Sequence, residues 1–163
     1  MSDNEPGATA TGDRDVATAL DVSGAVIAGA SIVIPAGPED VWDVLAGVEE
    51  WSVWYSTLKD LNMKSRVVEV GSKFSFKTGP ATINATIDVL EAPEQLRFTG
   101  KSAGSVTTYA FRLDAGGPRG TSVLAAQSMG GLAARTMRPV LQGVAEKSVI
   151  TWLDALAVRV TEG

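Results

Sequence analysis

Apolar and polar positions divide the chain into a series of short alternating segments followed by one long helical segment. From Gly131 to Val160, apolar residues recur at Met137, Leu141, Val144, Trp152, Leu156 and Val160, close to the 3.6-residue period of an amphipathic helix. Roughly 30 residues at 1.5 Å each would span about 45 Å, more than is needed to cap a sheet. Gly130 and Gly131 end the segment before it, and Pro139, lacking an N–H, predicts a kink or a first-turn boundary. Upstream, Ala25–Ile34, Ser65–Val70, Lys73–Thr78, Ala81–Leu90, Gln95–Lys101, Ser105–Leu113 and Thr121–Met129 read as strands separated by Gly, Pro and Ser turn signals. Short connections between successive strands predict antiparallel neighbours. After the first strand, Gly37-Pro38-Glu39-Asp40 starts a helix with an apolar face of Val41, Trp42 and Leu45, and Glu49–Tyr55 forms a second short helix or turn. The order is strand, two small helices, six strands and a long helix. It predicts an α+β fold in which a seven-stranded antiparallel sheet curls around the terminal helix.

Composition narrows the chemistry. A chain of 163 residues fits one domain with a sizeable core. Residues 1–24 carry Asp3, Glu5, Asp13, Asp15 and Asp21 against Arg14, a net of −4, and read as a flexible acidic tail with a short helical piece at Val16–Val22. Residues 25–163 then form the folded domain, close to neutral, with no basic stripe to track phosphates and so no expected nucleic-acid partner. The sequence has no His and no Cys, which excludes a His general base, a Cys nucleophile, a Ser-His-Asp triad, disulfides and His/Cys metal sites. A cysteine-free chain with an acidic N-terminus and no apolar run near 20 residues is expected in the cytoplasm, without membrane insertion.

The segment Ile34–Trp54 (IPAGPEDVWDVLAGVEEWSVW), with VGSKFSF at Val70–Phe76, EAPEQLRFTG at Glu91–Gly100, FRLDAGGPRGTSV at Phe111–Val123 and the terminal helix, resembles the polyketide cyclase/dehydrase branch of the START-like (SRPBCC) superfamily. The resemblance spans Ala25 to Val160. It implies a helix-grip fold, with a ligand cavity between sheet and helix, and neither a metal nor an organic cofactor.

Strand alternation then sorts residues toward or away from that cavity. Phe74, Phe76, Ile83, Ala85, Ile87, Val89, Leu96, Phe98, Thr107, Tyr109, Phe111, Leu113, Val123, Ala125, Gln127 and Met129 are expected inward. Lys73, Lys77, Asp88, Arg97 and Arg112 are expected outward. The candidate ligand-binding set is Trp54, Tyr55, Phe74, Phe76, Ile87, Phe98, Thr107, Phe111 and Met129, with Met137, Leu141, Val144 and Ser148 from the helix. Trp54 and Tyr55 fall where the family places the cavity mouth. Tyr109 and Gln127 are the candidate catalytic groups, able to polarise a ligand carbonyl. A nearly charge-free pocket suits a hydrophobic small molecule, a polyketide or a lipid. Three functions stay open. One is a cyclase, aromatase or dehydratase of secondary metabolism, served by an acyl-carrier protein that Arg135 and Arg138 could attract. The others are a non-catalytic carrier or self-resistance protein, and an assembly factor docking through Trp51–Tyr55.

Overall fold

The computed structural model describes residues 9–10, 24–115 and 117–162. In chain order the elements are β1 (Thr9–Ala10), β2 (Val26–Ile34), α1 (Pro38–Ala46), a 3-10 turn (Val48–Glu50), α2 (Trp51–Trp54), β3 (Lys59–Met63), β4 (Lys73–Thr78), β5 (Ala81–Glu91), β6 (Gln95–Ser102), β7 (Ser105–Ala115), β8 (Thr121–Gly130), α3 (Leu132–Thr136) and α4 (Arg138–Glu162). The strands form one antiparallel sheet in the order β1-β2-β8-β7-β6-β5-β4-β3. Six of them are expected strands, and a seventh, β3, lies at a segment not expected to be one. The eighth, β1, is a two-residue piece from within the acidic N-terminal segment that pairs with Ser31 and Ala30 of β2. The helix expected at Val16–Val22 lies outside the described residues.

Local chemistry accounts for the element boundaries. Pro38 occupies the first position of α1, followed by Glu39 and Asp40 where acids favour the helix N-terminus. Gly131 turns β8 into α3 at φ 100°, where a Cβ would lie 2.7 Å from the Gly104 carbonyl oxygen, so only glycine fits comfortably. Met137 separates α3 from α4, and Pro139 sits in the first turn of α4, which is the boundary the sequence predicts. At 25 residues, α4 is about 37 Å long. It packs chiefly on β2, and the sheet curls beneath it.

Three expectations need correction. Ser65–Val70 is not a strand but part of the loop between β3 and β4, with Val67 and Val70 exposed. The edge strand lies earlier, at Lys59–Met63, where a polar sequence, a positive φ at Asp60 and a register shift hide the period-2 signal. The parity of β5 also breaks. The β5–β6 register shifts between Ile87 and Val89, so Leu90 rather than Val89 packs on the core. On α4, the buried positions are Ala145, Val149, Trp152, Leu153 and Leu156. Met137 and Val144 are each half-exposed, and Leu141 and Val160 only partly buried. The buried stripe includes the small Ala145, which a search for large apolar residues passes over.

Candidate functional site

The registers order the inner face of the sheet into rows. The central row runs Ala28, Gln127, Tyr109, Phe98, Ile87. On one side lies Ala30, Ala125, Phe111, Leu96, Leu90. On the other lies Val26, Met129, Thr107, Gly100, Ala85, Phe74, Met63. Alternate positions carry the charges: Lys73, Lys77 and Asp88 are exposed and Arg97 and Arg112 half-buried on the opposite face, as the alternation predicts. Among the described residues, the buried polar side chains are Ser72, Thr107, Thr121, Gln127 and Ser128, none of them charged.

Aromatic rings occupy much of the space between this face and α4. Trp152 of α4 packs against Tyr55 at a centroid distance of 4.3 Å, Trp51 at 5.0 Å and Phe111 at 5.6 Å. Trp51, fully buried, meets Phe98 at 5.2 Å and Phe74 at 5.6 Å, and its Nε1–H donates to the Leu45 carbonyl at 2.9 Å. Tyr109 stacks on Phe98 at 4.5 Å. The middle of the expected chamber is thus lined by rings in mutual contact. In the row of Met129 and Thr107, Val26, Thr107, Ala85 and Phe74 are buried, whereas Met129 and Met63, like Leu141 of α4, pack on the core but are only partly buried. Leu132 of α3 and Met137, Val140 and Val144 of α4 are exposed.

Three polar groups sit in this apolar setting. Burial raises the pKa of the Tyr55 hydroxyl, with hydrogen bonds to Ser148 and Thr57 pulling the other way. Burial raises that of Tyr109 further, and the neighbouring Tyr55 adds to the effect. Both phenols are therefore protonated donors at neutral pH, unsuited to act as bases. Gln127 is 2% exposed, and its Oε1 has no hydrogen-bond partner. Since most buried polar atoms are paired, an unpaired carbonyl on an inner face points to a missing donor.

The sequence-derived candidates separate into groups. Tyr55, Phe74, Phe76, Ile87, Phe98, Thr107, Phe111, Tyr109 and Gln127 are all buried on the inner side. Met129, Leu141 and Ser148 are partly buried, and Met137 and Val144 are exposed. Trp54 lies elsewhere. It packs over Trp152 and Tyr55 and walls a surface cleft of about 450 Å³ with Thr151, Asp154, Ala155 and Val158. Its Nε1 is buried and unpaired. A larger cleft of about 1040 Å³ opens on the outer face under the β3–β4 loop, lined by Asn62, Lys73, Asn84, Thr86, Asp88, Thr99 and Lys101 among others. Its mixed charges suit a solvated surface rather than an apolar ligand. Among the described residues, no three carboxylates converge where a metal ion could sit.

Gln142 was not legible as a site residue. Its carboxamide accepts from the Ile27 N–H at 3.3 Å and donates to the Ile27 carbonyl at 2.6 Å. It thereby satisfies the backbone of β2 on the side away from β8 and fixes the first half of α4 against the sheet. A glutamine within a helical apolar pattern gives no signal of this.

A family model described as polyketide cyclase / dehydrase and lipid transport matches residues 26–160. Similar solved structures include a START superfamily protein from Mycobacterium smegmatis, with a TM-score of 0.71 and 12% identity over 83% of this chain and 97% of that one. A protein from Arthrobacter aurescens superposes with a TM-score of 0.69 and 15% identity over 95% and 92% of the two chains. One from Thermus thermophilus gives 0.66 and 18% over 84% and 97%. At these identities the likeness shows the fold, which is START-like. No curated protein matches the sequence.

Proposed function

The chain belongs to the polyketide cyclase / dehydrase and lipid transport family, and from that premise we propose that it binds a hydrophobic small molecule between the inner face of the sheet and α4. The observation that carries this reading is the chemistry of that face. Its exposed-to-ligand surface is apolar and aromatic, and its polar groups are the uncharged Tyr109, Gln127 and Thr107. Such a lining supplies area for an apolar body and a few directional contacts to orient it. Each 100 Å² of apolar ligand surface removed from water would contribute about 2.5 kcal/mol before binding costs. Entry is at the end where Met129, Leu141 and Met63 are only partly buried. The candidate contacts are Tyr55, Phe74, Phe76, Ile87, Phe98, Thr107, Tyr109, Phe111, Gln127, Met129, Leu141 and Ser148. Met137 and Val144 add exposed apolar surface on α4.

The test is a titration of isotopically labelled protein with a polycyclic polyketide and, separately, a long-chain fatty acid, followed by backbone amide shifts. Shifts should concentrate on β7, β8 and the first half of α4. Shifts confined to the outer cleft around Lys73 and Thr99, or none at all, would overturn the reading.

A second reading, polyketide cyclisation or dehydration, is favoured by the Tyr109 hydroxyl, which stays protonated and could donate to a developing enolate. In that case catalysis would rest on confining a flexible chain in a dry site. An acyl-carrier protein would be the supplier, drawn by exposed Arg135 and Arg138 in a stretch, Ala115 to Ala145, that contains no acid. A cytoplasmic location in secondary metabolism fits both readings. Tyr109→Phe separates them: a catalyst loses turnover while retaining ligand, whereas a carrier only loses some affinity.

A further inference from the structure

We infer that the inner site selects a neutral ligand bearing a hydroxyl group, which donates to Gln127 Oε1 and accepts from the Tyr109 hydroxyl. The inference rests on the ligand-binding reading above and adds the class of ligand. Gln127 and Tyr109 are directly paired in the β7–β8 register, so their side chains leave the same face of the sheet from neighbouring strands. Gln127 Oε1 is buried and has no partner. No hydrogen bond to the Tyr109 hydroxyl is seen among the described residues, and Tyr109 is buried but keeps 8% of its accessible surface. An acceptor and a donor, adjacent and both unused, complement one hydroxyl, which is itself donor and acceptor. Their other neighbours in the row, Ala28 and Phe98, offer no competing polar contact.

The same surroundings exclude charged ligands. Among the described residues, the inner face presents no ammonium, guanidinium or carboxylate. The phenols of Tyr55 and Tyr109 are protonated. A carboxylate or amine drawn inside would lose its hydration without gaining a counter-charge. A methyl ether of the same skeleton would leave Gln127 Oε1 without a donor, and sites built to pair a substrate hydroxyl discriminate against analogues lacking it.

The experiment uses the full chain and four probes of one skeleton: naphthalene, 2-naphthol, 2-methoxynaphthalene and 2-naphthoate, measured at pH 7 by calorimetry. The expected result is that 2-naphthol binds about tenfold more tightly than the methyl ether, equivalent to about 1.4 kcal/mol, with naphthoate weakest. Gln127→Leu, close in size to the original, should collapse the naphthol-to-ether ratio to about one. Equal binding of naphthol and ether by the unaltered protein would overturn the inference while leaving the hydrophobic-site reading intact. So would a ratio that survives in Gln127→Leu, or a preference for the ether. Failure of all four probes to bind would overturn both. Should Gln127→Leu not fold, the ratio in the unaltered protein decides the matter.

Discussion

Two tryptophans one turn apart on α2 provide a sharp test of how the interior is held together. Trp51 is fully buried, makes ring contacts with Phe74, Phe98 and Trp152, and donates Nε1–H to the Leu45 carbonyl. Trp54 is only partly buried, and its Nε1–H has no partner. Replacing Trp51 by Phe removes the donor to a carbonyl in the last turn of α1, a loss of about 1–3 kcal/mol when the acceptor is left buried. It also leaves a void of roughly 40 Å³, which at about 24 cal/mol per Å³ adds about 1 kcal/mol. The sum is about 2–4 kcal/mol. Trp54→Phe removes an unpaired donor and a smaller area, so the two effects oppose each other and the net change should stay within about 1 kcal/mol. Urea unfolding followed by far-UV circular dichroism, which is less sensitive than fluorescence to losing an indole, compares the two at constant m-value. A Trp51→Phe cost below about 1 kcal/mol, or equal costs at the two positions, would refute the assignment of Trp51 as the anchor between α1, α2 and the inner face.

Further outcomes follow from the same geometry. Gln142→Ala should cost about 1–2 kcal/mol and speed hydrogen exchange at the Ile27 amide, because it removes both hydrogen bonds to that residue; unchanged exchange would show that the pairing does not persist in solution. A Cβ at Gly100 would collide with Ile83 Cγ2, so Gly100→Ala should destabilise by about 1–3 kcal/mol. Combining it with Ile83→Ala should cost clearly less than the two singles added, as measured by a double-mutant cycle in urea. The two tyrosines should ionise in the folded state only above the ordinary value of 10.0, since burial raises both. The folded state then binds more protons than the unfolded one above the ordinary value of 10.0. Their contribution to stability is complete below that pH and falls as pH rises through the folded values, by up to about 1.4 kcal/mol per pH unit for each phenol. An ordinary tyrosine titration in native protein would contradict this.

Much of this was readable because the physics was local. Alternation alone placed Phe74, Phe98, Tyr109, Phe111 and Gln127 on one face, since a strand has only two sides and charges at Arg97 and Arg112 mark the other. Pro38 and Gly131 marked chain direction changes through their own backbone constraints. The failures arose where tertiary context overrode pattern. The bulge after Ile87 exchanges Val89 for Leu90, a one-residue slip that no period-2 count detects. Lys59–Met63 is strand because β4 supplies its partner, not because its residues favour one, whereas the β-branched Val67, Val68 and Val70 find no ladder. The hollow expected between sheet and helix is partly filled because Trp51 and Trp152 reach inward from different elements, a meeting that depends on how the helices dock.

The partition of polar groups between the two faces of the sheet limits what chemistry the interior can perform. On the outer face, Lys73, Asp88 and Lys101 remain exposed to water. Inside, an ion would need a partner that the described residues do not provide, and the phenols are held neutral. A catalyst built this way has no group that changes charge near neutrality, so it can act only by confinement and by hydrogen-bond donation. Any turnover attributable to the inner face should therefore be nearly independent of pH between about 6 and 9, in contrast to the bell shape given by an acid–base pair. A pronounced inflection within that range, with an unchanged rate-limiting step and a substrate that does not itself titrate there, would require an ionisable group in the site. That would defeat both the neutral-interior argument and the selection for an uncharged ligand that follows from it.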